Sequence, residues 1–184
     1  QLEGKVAVVT GAANGIGKAT AERFAAEGAA LVVGDIEADN LAAVADRLRA
    51  NGADVRTVVG DLTQEPDAER LIGAALDAHG RIDVLVNNLG GAKLGKLWEM
   101  DLETWEAVLA LNLRSLFLCT KHAAKAMVAR GQGAIVCLSS GAREGTPWSA
   151  YYGGNAPYST AKAGVHGFVR NAAYELSPHG VRIN

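Results

Sequence analysis

Val6-Ala7-Val8-Val9 runs directly into Thr10-Gly11-Ala12-Ala13-Asn14-Gly15-Ile16-Gly17, and a helix-length stretch rich in Ala, Glu and Arg follows at Ile16–Glu27. An unbroken apolar run of this length reads as a strand covered on both faces, as in a parallel sheet. Three glycines in the next eight residues permit a turn too tight for side chains. Such a turn brings main-chain N–H groups and the start of a helix up to an anion. Strand, glycine bend and helix in this order suit a pyrophosphate. The end of the bend, Gly17-Lys18, overlaps a triphosphate-binding motif that needs Gly, four residues, then Gly-Lys-Ser/Thr. Here the first of those positions is Ala12 and the last is Ala19, so the magnesium-binding hydroxyl is missing. A nucleoside triphosphatase is disfavoured.

Outward from this unit the pattern repeats. Apolar runs recur at Leu31–Val33, Val55–Val59, Val84–Val86 and Ala134–Leu138, separated by helix-length stretches at Asn40–Ala50, Asp67–His79 and Leu102–Arg130. A last stretch, Ser159–Leu176, precedes Val181-Arg182-Ile183, the opening of a further strand. Gly28, Gly52, Gly80 and Gly131 or Gly133 stand where the helices should stop. This alternation predicts right-handed crossovers and a doubly wound parallel sheet, a Rossmann-like three-layer α/β/α fold. The 184 residues contain no repeat, low-complexity segment or linker, so a single domain over 1–184 is expected. Leu102–Arg130 is apolar on more than one face, through Leu109, Leu111, Leu113, Leu116, Phe117 and Leu118. One stripe serves the sheet. The second is read either as further packing on the chain's own sheet or, with Ser159–Leu176, as the face of a homo-oligomer, dimer or tetramer.

Composition narrows the function. Eighteen basic against twenty acidic residues give a formal net charge of -2 with no basic block, which argues against a nucleic-acid partner. Apolar residues make up 49% of the chain, enough for a real core, yet no run is long enough to span a bilayer. Gln1 leads almost at once into a strand pattern with no leader ahead of it, so a cytoplasmic location is expected. Cys119 and Cys137 form no close-spaced pattern, and His79, His122, His166 and His179 have no metal-binding spacing. No metal is expected.

Two further features carry chemistry. Asp35 closes the second strand, eighteen residues beyond Gly17. A carboxylate there accepts hydrogen bonds from both ribose hydroxyls and repels a 2′-phosphate, which favours NAD over NADP. Asn14, with no Lys or Arg in the bend, points the same way; Lys18, one turn into the helix, is a weak counter-signal. Tyr158 and Lys162 stand at i and i+4, sharing one helix face with Cβ atoms about 5–6 Å apart. A cation so placed stabilises a phenolate and makes the phenol a proton donor or acceptor near neutral pH. Tyr151 and Tyr152 have Asn155 and Ala156 four residues on, and are read as pocket walls.

Taken in order, Thr10–Gly17, Asp61-Leu62 after the third strand, Asn87-Asn88-Leu89-Gly90 after the fourth, Asn112, Ser139-Ser140 after the fifth and Tyr158…Lys162 resemble the short-chain dehydrogenase/reductase family, in its classical subfamily. The resemblance runs from Leu2 to Asn184. It implies four catalytic positions: Tyr158 as general acid/base, Lys162 on the nicotinamide ribose, Ser140 on the substrate oxygen and Asn112 holding a relay water. It implies a cofactor on Gly11, Asn14, Gly15, Ile16 and Gly17, with Asp35 on the ribose, Asp61 and Leu62 flanking adenine, and Asn88 with Gly90 on the nicotinamide side. Ser139 is the alternative to Ser140 and is expected to turn into the sheet.

Three departures stand out. Leu89 replaces the family's usual Ala, and seventeen residues separate Ser140 from Tyr158, a longer gap than usual. The extra length falls in Gly141–Pro157, which carries Arg143, Glu144, Trp148, Tyr151 and Tyr152 and should border the substrate. The chain also ends at Asn184, where family members usually continue with a last strand and a lid over the substrate. The resemblance implies an NAD-dependent oxidoreductase interconverting a secondary alcohol and a ketone. Candidate substrates are a cyclic alcohol or dihydrodiol, a 3-oxoacyl thioester, and a sugar or polyol. The rival is a non-catalytic dinucleotide-binding sensor or assembly module on the same fold.

Overall fold

The computed structural model describes residues 1–145 and 147–184, with Ser149 described by its backbone alone. Six strands, β1 (Val6–Thr10), β2 (Ala30–Asp35), β3 (Val55–Val59), β4 (Val84–Asn87), β5 (Gly133–Cys137) and β6 (Val181–Ile183), form one parallel sheet in the order β3-β2-β1-β4-β5-β6. Seven helices connect or flank them: α1 (Gly15–Ala26), α2 (Ala38–Ala50), α3 (Glu65–His79), α4 (Leu102–Leu109), α5 (Ser115–Arg130), α6 (Pro147–Tyr152) and α7 (Ala156–Leu176). This is the doubly wound Rossmann-like arrangement expected from the apolar runs. No helix among the described residues is long and apolar enough to cross a membrane.

Alternation along β1 shows why its run is unbroken. Val6 and Val8 join a core with Leu71, Ile72, Leu85, Met127 and Ile135, while Ala7 and Val9 join a second core with Leu31, Leu41, Val44 and Leu48. Both faces of the central strands are therefore covered, and every residue of β1 is buried. The same reading fails for β3. It lies at the sheet edge, and Arg56, Thr57 and Val59 are exposed. A run of apolar residues alone does not distinguish a central strand from an edge.

The stretch Leu102–Arg130, expected as one helix, is two helices joined by a π-helical turn at Ala110–Arg114. A turn this wide releases carbonyls from the regular ladder, and side chains take them up. Asn112 Nδ2 donates to the Val108 carbonyl at 2.8 Å, and Ser115 Oγ donates to that of Leu111 at 2.6 Å. The second apolar face expected on this stretch is partly open: Leu116, Leu118, Cys119, Ala123 and Met127 are buried, whereas Leu102 and Phe117 are exposed. Gly141–Pro157, read as a loop, holds a short 3-10 turn at Gly141–Glu144 and then α6. Helix α7 begins at Ala156 with Pro157 in its first turn, so Tyr158 is inside the helix.

Asp83 ties the start of the central strand to its surroundings. Its carboxylate accepts from the Val6 N–H at 2.9 Å, Arg81 Nε at 3.0 Å and Arg130 Nη1 at 3.2 Å. Burial pushes the Asp83 carboxyl up, but the Val6 amide and the two guanidinium groups outweigh it and hold the group below the usual carboxylate range. Asp83→Asn is expected to cost about 1–3 kcal/mol of unfolding free energy at pH 7, since the amide oxygen can keep the Val6 N–H but the charge and second acceptor that pair with Arg81 and Arg130 are lost. A lowered native pKa stabilises above the unfolded value near 3.9, and that contribution is lost as pH falls through the native value. The deficit of the variant should therefore shrink below about pH 4, which urea titrations at pH 7 and pH 3.5 will check. An equal deficit at both would contradict the ion-pair account.

Candidate active site

Strand order reverses beside β1, whose neighbours β2 and β4 lead their chains away to opposite sides. At such a switch point the loops beyond the strand ends part and leave a crevice. A cleft of about 490 Å³ lies there, running from Asp35, Ile36 and Glu37 past Gly11, Asn14, Gly15 and Ile16 to Gly90, Leu138, Ser139, Tyr158 and Lys162.

At one end is the glycine bend. Gly11 and Gly15 have φ of 65° and 54°, the left-handed region that side chains resist. Gly17 is needed for a different reason: a Cβ there would overlap the Gly11 carbonyl oxygen and lie 2.5 Å from Asn88 Nδ2. Asn14 begins α1 without a side-chain cap bond, and its Nδ2 donates to Glu37 Oε2 at 3.0 Å. The first N–H groups of α1 thus point outward with no side chain over them, which fits a pyrophosphate. Asp35 is buried and accepts from the Ala13 N–H at 3.0 Å and the Glu37 N–H at 3.1 Å. These bonds hold its carboxylate at the rim beside Ile36.

Asn88, just past the end of β4, braces the bend, donating to the Thr10 and Gly11 carbonyls at 3.0 Å each. Thr10 Oγ1 in turn accepts from the N–H groups of Asn88 and Leu89, both at 3.0 Å. Thr10 opens the Thr10–Gly17 motif, where spacing alone assigns it no role. Its place as the last residue of a buried strand was the available signal. Glu37 was also missed, although an acid two residues after Asp35 stands in the sequence.

At the other end, Tyr158 and Lys162 share a face of α7, with Lys162 Nζ 5.6 Å from the centre of the Tyr158 ring. Lys162 is only 4% exposed and donates to the Leu138 carbonyl at 2.9 Å. Burial lowers its pKa from the ordinary lysine value, with a charge on nearby Cys137 the opposing influence. Burial likewise raises the Cys137 thiol. Ser139 Oγ donates to the Lys162 carbonyl at 2.9 Å, which clamps the end of β5 to α7. Ser139 lines the cleft, contrary to the expectation that it turns into the sheet. Ser140 accepts from the Ala142 N–H at 3.2 Å and starts the 3-10 turn.

Asn112 is 1% exposed, and its amide is taken up by main chain. Its Nδ2 donates to the Gly91 carbonyl at 2.8 Å, and its Oδ1 accepts the Gly91 N–H at 3.3 Å. A Cβ on Gly90 would lie 2.5 Å from Asn112 Oδ1 and 3.0 Å from Lys162 Nζ, so these two groups converge on Gly90. The adenine pair is placed differently from expectation. Leu62 sends its side chain into the core at 1% exposure, which leaves only its main chain for a ligand. Asp61 bonds the Thr63 N–H and hydroxyl at 2.9 and 2.7 Å. Burial raises the Asp61 carboxyl, but these bonds, with Gln64 and the charge of Arg114, bring it below the usual range.

This combination defines an α/β protein with a cleft at the switch point of its sheet, a glycine bend at one end and a phenol–ammonium pair at the other. The short chain dehydrogenase family model matches residues 5–184, and the chain belongs to that family. It is 43% identical over 185 residues to the 3-oxoacyl-[acyl-carrier-protein] reductase of Synechocystis sp., covering 100% of this chain and 72% of that protein. It is 39% identical over 183 residues to the (2S)-[(R)-hydroxy(phenyl)methyl]succinyl-CoA dehydrogenase subunit BbsD of Thauera aromatica, covering 100% of this chain and 71% of that protein. A 7 alpha-hydroxysteroid dehydrogenase solved with NADH and 7-oxo glycochenodeoxycholic acid superposes with a TM-score of 0.92 at 33% identity, over 100% of this chain and 70% of that one. The chain is thus an oxidoreductase by family.

Proposed function

We propose that this chain uses NAD to interconvert a secondary alcohol and a ketone. The observation that carries the reading is that Tyr158 and Lys162 line the same cleft as an uncapped, glycine-edged helix start. The residues suit the dinucleotide: Gly11, Asn14, Gly15, Ile16 and Gly17 would take its phosphates, Asp35 the adenosine ribose, and Asn88, Gly90 and Lys162 the nicotinamide half. The bound nicotinamide supplies or accepts the hydride. In alcohol oxidation, Tyr158 as phenolate takes the hydroxyl proton while Ser140 holds the oxygen. Lys162, its Nζ 5.6 Å from the centre of the Tyr158 ring, would also hold the nicotinamide ribose. In their two hydrogen bonds Ser139 donates and Ser140 accepts, which supports Ser140 for a role that needs its hydroxyl proton. Asn112, whose side-chain amide is spent on Gly91 and Val108, would hold through its main chain the water that carries the proton onward.

The NADH bound to the steroid dehydrogenase supports the choice of NAD, as do the acids at the ribose end. Asp35 and Glu37 both line the cleft there, and two carboxylates disfavour a 2′-phosphate. NADH should bind at least about tenfold more tightly than NADPH, and Asp35→Asn should narrow that ratio about tenfold. Fluorescence titration of both reduced cofactors measures it; a wild-type preference for NADPH would remove Asp35 from the ribose. Turnover of a panel of secondary alcohols with NAD tests the reading as a whole. A non-catalytic module would bind NADH and turn over none of them.

A further inference from the structure

We propose that Glu37 is a positioning residue for the cofactor: by holding the side-chain amide of Asn14, it keeps the start of α1 uncapped and open to the pyrophosphate. The inference rests on the NAD reading above. Asn14 is the N-cap residue of α1, with extended φ and ψ of -143° and 172°. Asparagine at this position ordinarily caps its helix, through a side-chain oxygen that accepts the second or third N–H of the first turn. In α1 those groups belong to Ile16 and Gly17, and the Asn14 side chain bonds neither. The first rung of the helix runs from the Lys18 N–H to the Asn14 carbonyl at 3.1 Å, so the N–H groups ahead of it have no place in the helical ladder. A capping oxygen and a phosphate oxygen would compete for the same donors.

Glu37 decides that competition. Its Oε2 accepts from Asn14 Nδ2 at 3.0 Å and from Asn40 Nδ2 at 2.6 Å, one amide from the start of α1 and the other from the first turn of α2. A hydrogen bond to a carboxylate is stronger than one between neutral groups. The carboxylate is itself well placed. The Glu37 N–H donates to Asp35 Oδ1 at 3.1 Å, and its carbonyl accepts the Leu41 N–H at 2.9 Å as the N-cap of α2. The partial positive charge at the start of α2 favours an anion there. Two ties therefore join the bend to the β2–α2 turn: the Ala13 N–H to Asp35, and Asn14 Nδ2 to Glu37. The first fixes the backbone of the bend. The second turns away the side chain best placed to cover its N–H groups.

Asn14, Asp35 and Glu37 line the cofactor cleft together. Asn14 and Glu37 are both exposed, so breaking their bond leaves each free to bond water, at little cost to the fold. What the bond changes is which acceptor meets the helix start. Freed from Glu37, Asn14 would turn its oxygen onto the Ile16 or Gly17 N–H, and a pyrophosphate would first have to displace it. The capped state would then lower the apparent affinity by the fraction of molecules that adopt it.

Glu37→Gln and Glu37→Met test this with two neutral side chains of similar size, of which only Gln keeps an acceptor for the Asn14 amide. Hydrogen exchange of the Ile16 and Gly17 amides in the cofactor-free protein reads the cap directly. Glu37→Met should slow one of them about fivefold, the size of an asparagine cap, and Glu37→Gln should leave both within about twofold of wild type. Fluorescence titration should give Glu37→Met a dissociation constant for NADH about fivefold above that of Glu37→Gln. On an Asn14→Gly background, with no side chain to cap, the Gln and Met variants should agree in both measurements. Equal exchange in the Met and Gln variants, or an affinity difference that persists on the Asn14→Gly background, would overturn the hold of Glu37 on Asn14. Slowed exchange with equal NADH affinities would overturn its link to the cofactor. If the exchange pattern holds and the wild type binds no NADH, the NAD reading falls while the hold on Asn14 stands.

Discussion

Tyr158→Phe is expected to lower kcat by about 10³-fold while NADH binding stays within about twofold of wild type. The substitution removes one oxygen and leaves the ring, with its contact to the Lys162 ammonium at 5.6 Å, in place. What is lost is the only role the phenol oxygen is given, transfer of a proton to or from the substrate oxygen. In the proposed reading the cofactor would be held chiefly by the glycine bend and Asp35, at the far end of the cleft, and should not register the change. Stopped-flow or steady-state turnover beside NADH fluorescence separates the two effects. A variant that kept most of its kcat would end the proposed acid/base mechanism, and one that lost NADH affinity in proportion would show the phenol to be a binding group.

Gly17→Ala should do the reverse, raising the dissociation constant for NADH by at least about 100-fold, through a clash that has no easy relief. The added Cβ meets the Gly11 carbonyl and the Asn88 amide at once, and these are bonded to each other at 3.0 Å. Neither is the free end of a flexible chain. The bend must open or α1 must move out, and either misplaces the N–H groups that face the phosphates. Gly15→Ala is the matched control. Its Cβ would meet nothing within 4 Å, so only the left-handed φ of 54° is strained, at about 1 kcal/mol. Similar NADH affinities for the two variants would mean that close packing of the bend against β4 is unimportant.

The halves of the site differed in legibility. Gly11, Gly15, Asp35, Tyr158 and Lys162 are all singled out by spacing, and they line one cleft, with Gly17 packed on Gly11 and Asn88. Each works through a local constraint, a φ that demands glycine, a strand end or one turn of helix, and local constraints leave marks in the order of residues. Leu62 shows the limit. Its neighbour Asp61 stands at a motif position, yet whether a leucine beside it faces a ligand or the core depends on the packing of α3, which no spacing records. Thr10, Asn88 and Asn112 show the same limit from the other side. Their polar atoms join segments dozens of residues apart, as in the Thr10–Asn88 and Asn112–Gly91 bonds.

By itself, then, the order of residues determined the strand–helix alternation, the glycine bend and the phenol–ammonium pair, because each is set by neighbours within a turn or a strand. Only the folded chain decided that β3 is an edge, that Asn112 sits in a π-helical turn, that Ser139 reaches the cleft and that Glu37 meets the Asn14 amide from 23 residues away. Those outcomes follow from sheet order and from which backbone groups lack partners once the layers have packed. Both are properties of the assembled chain, and no window along it contains them.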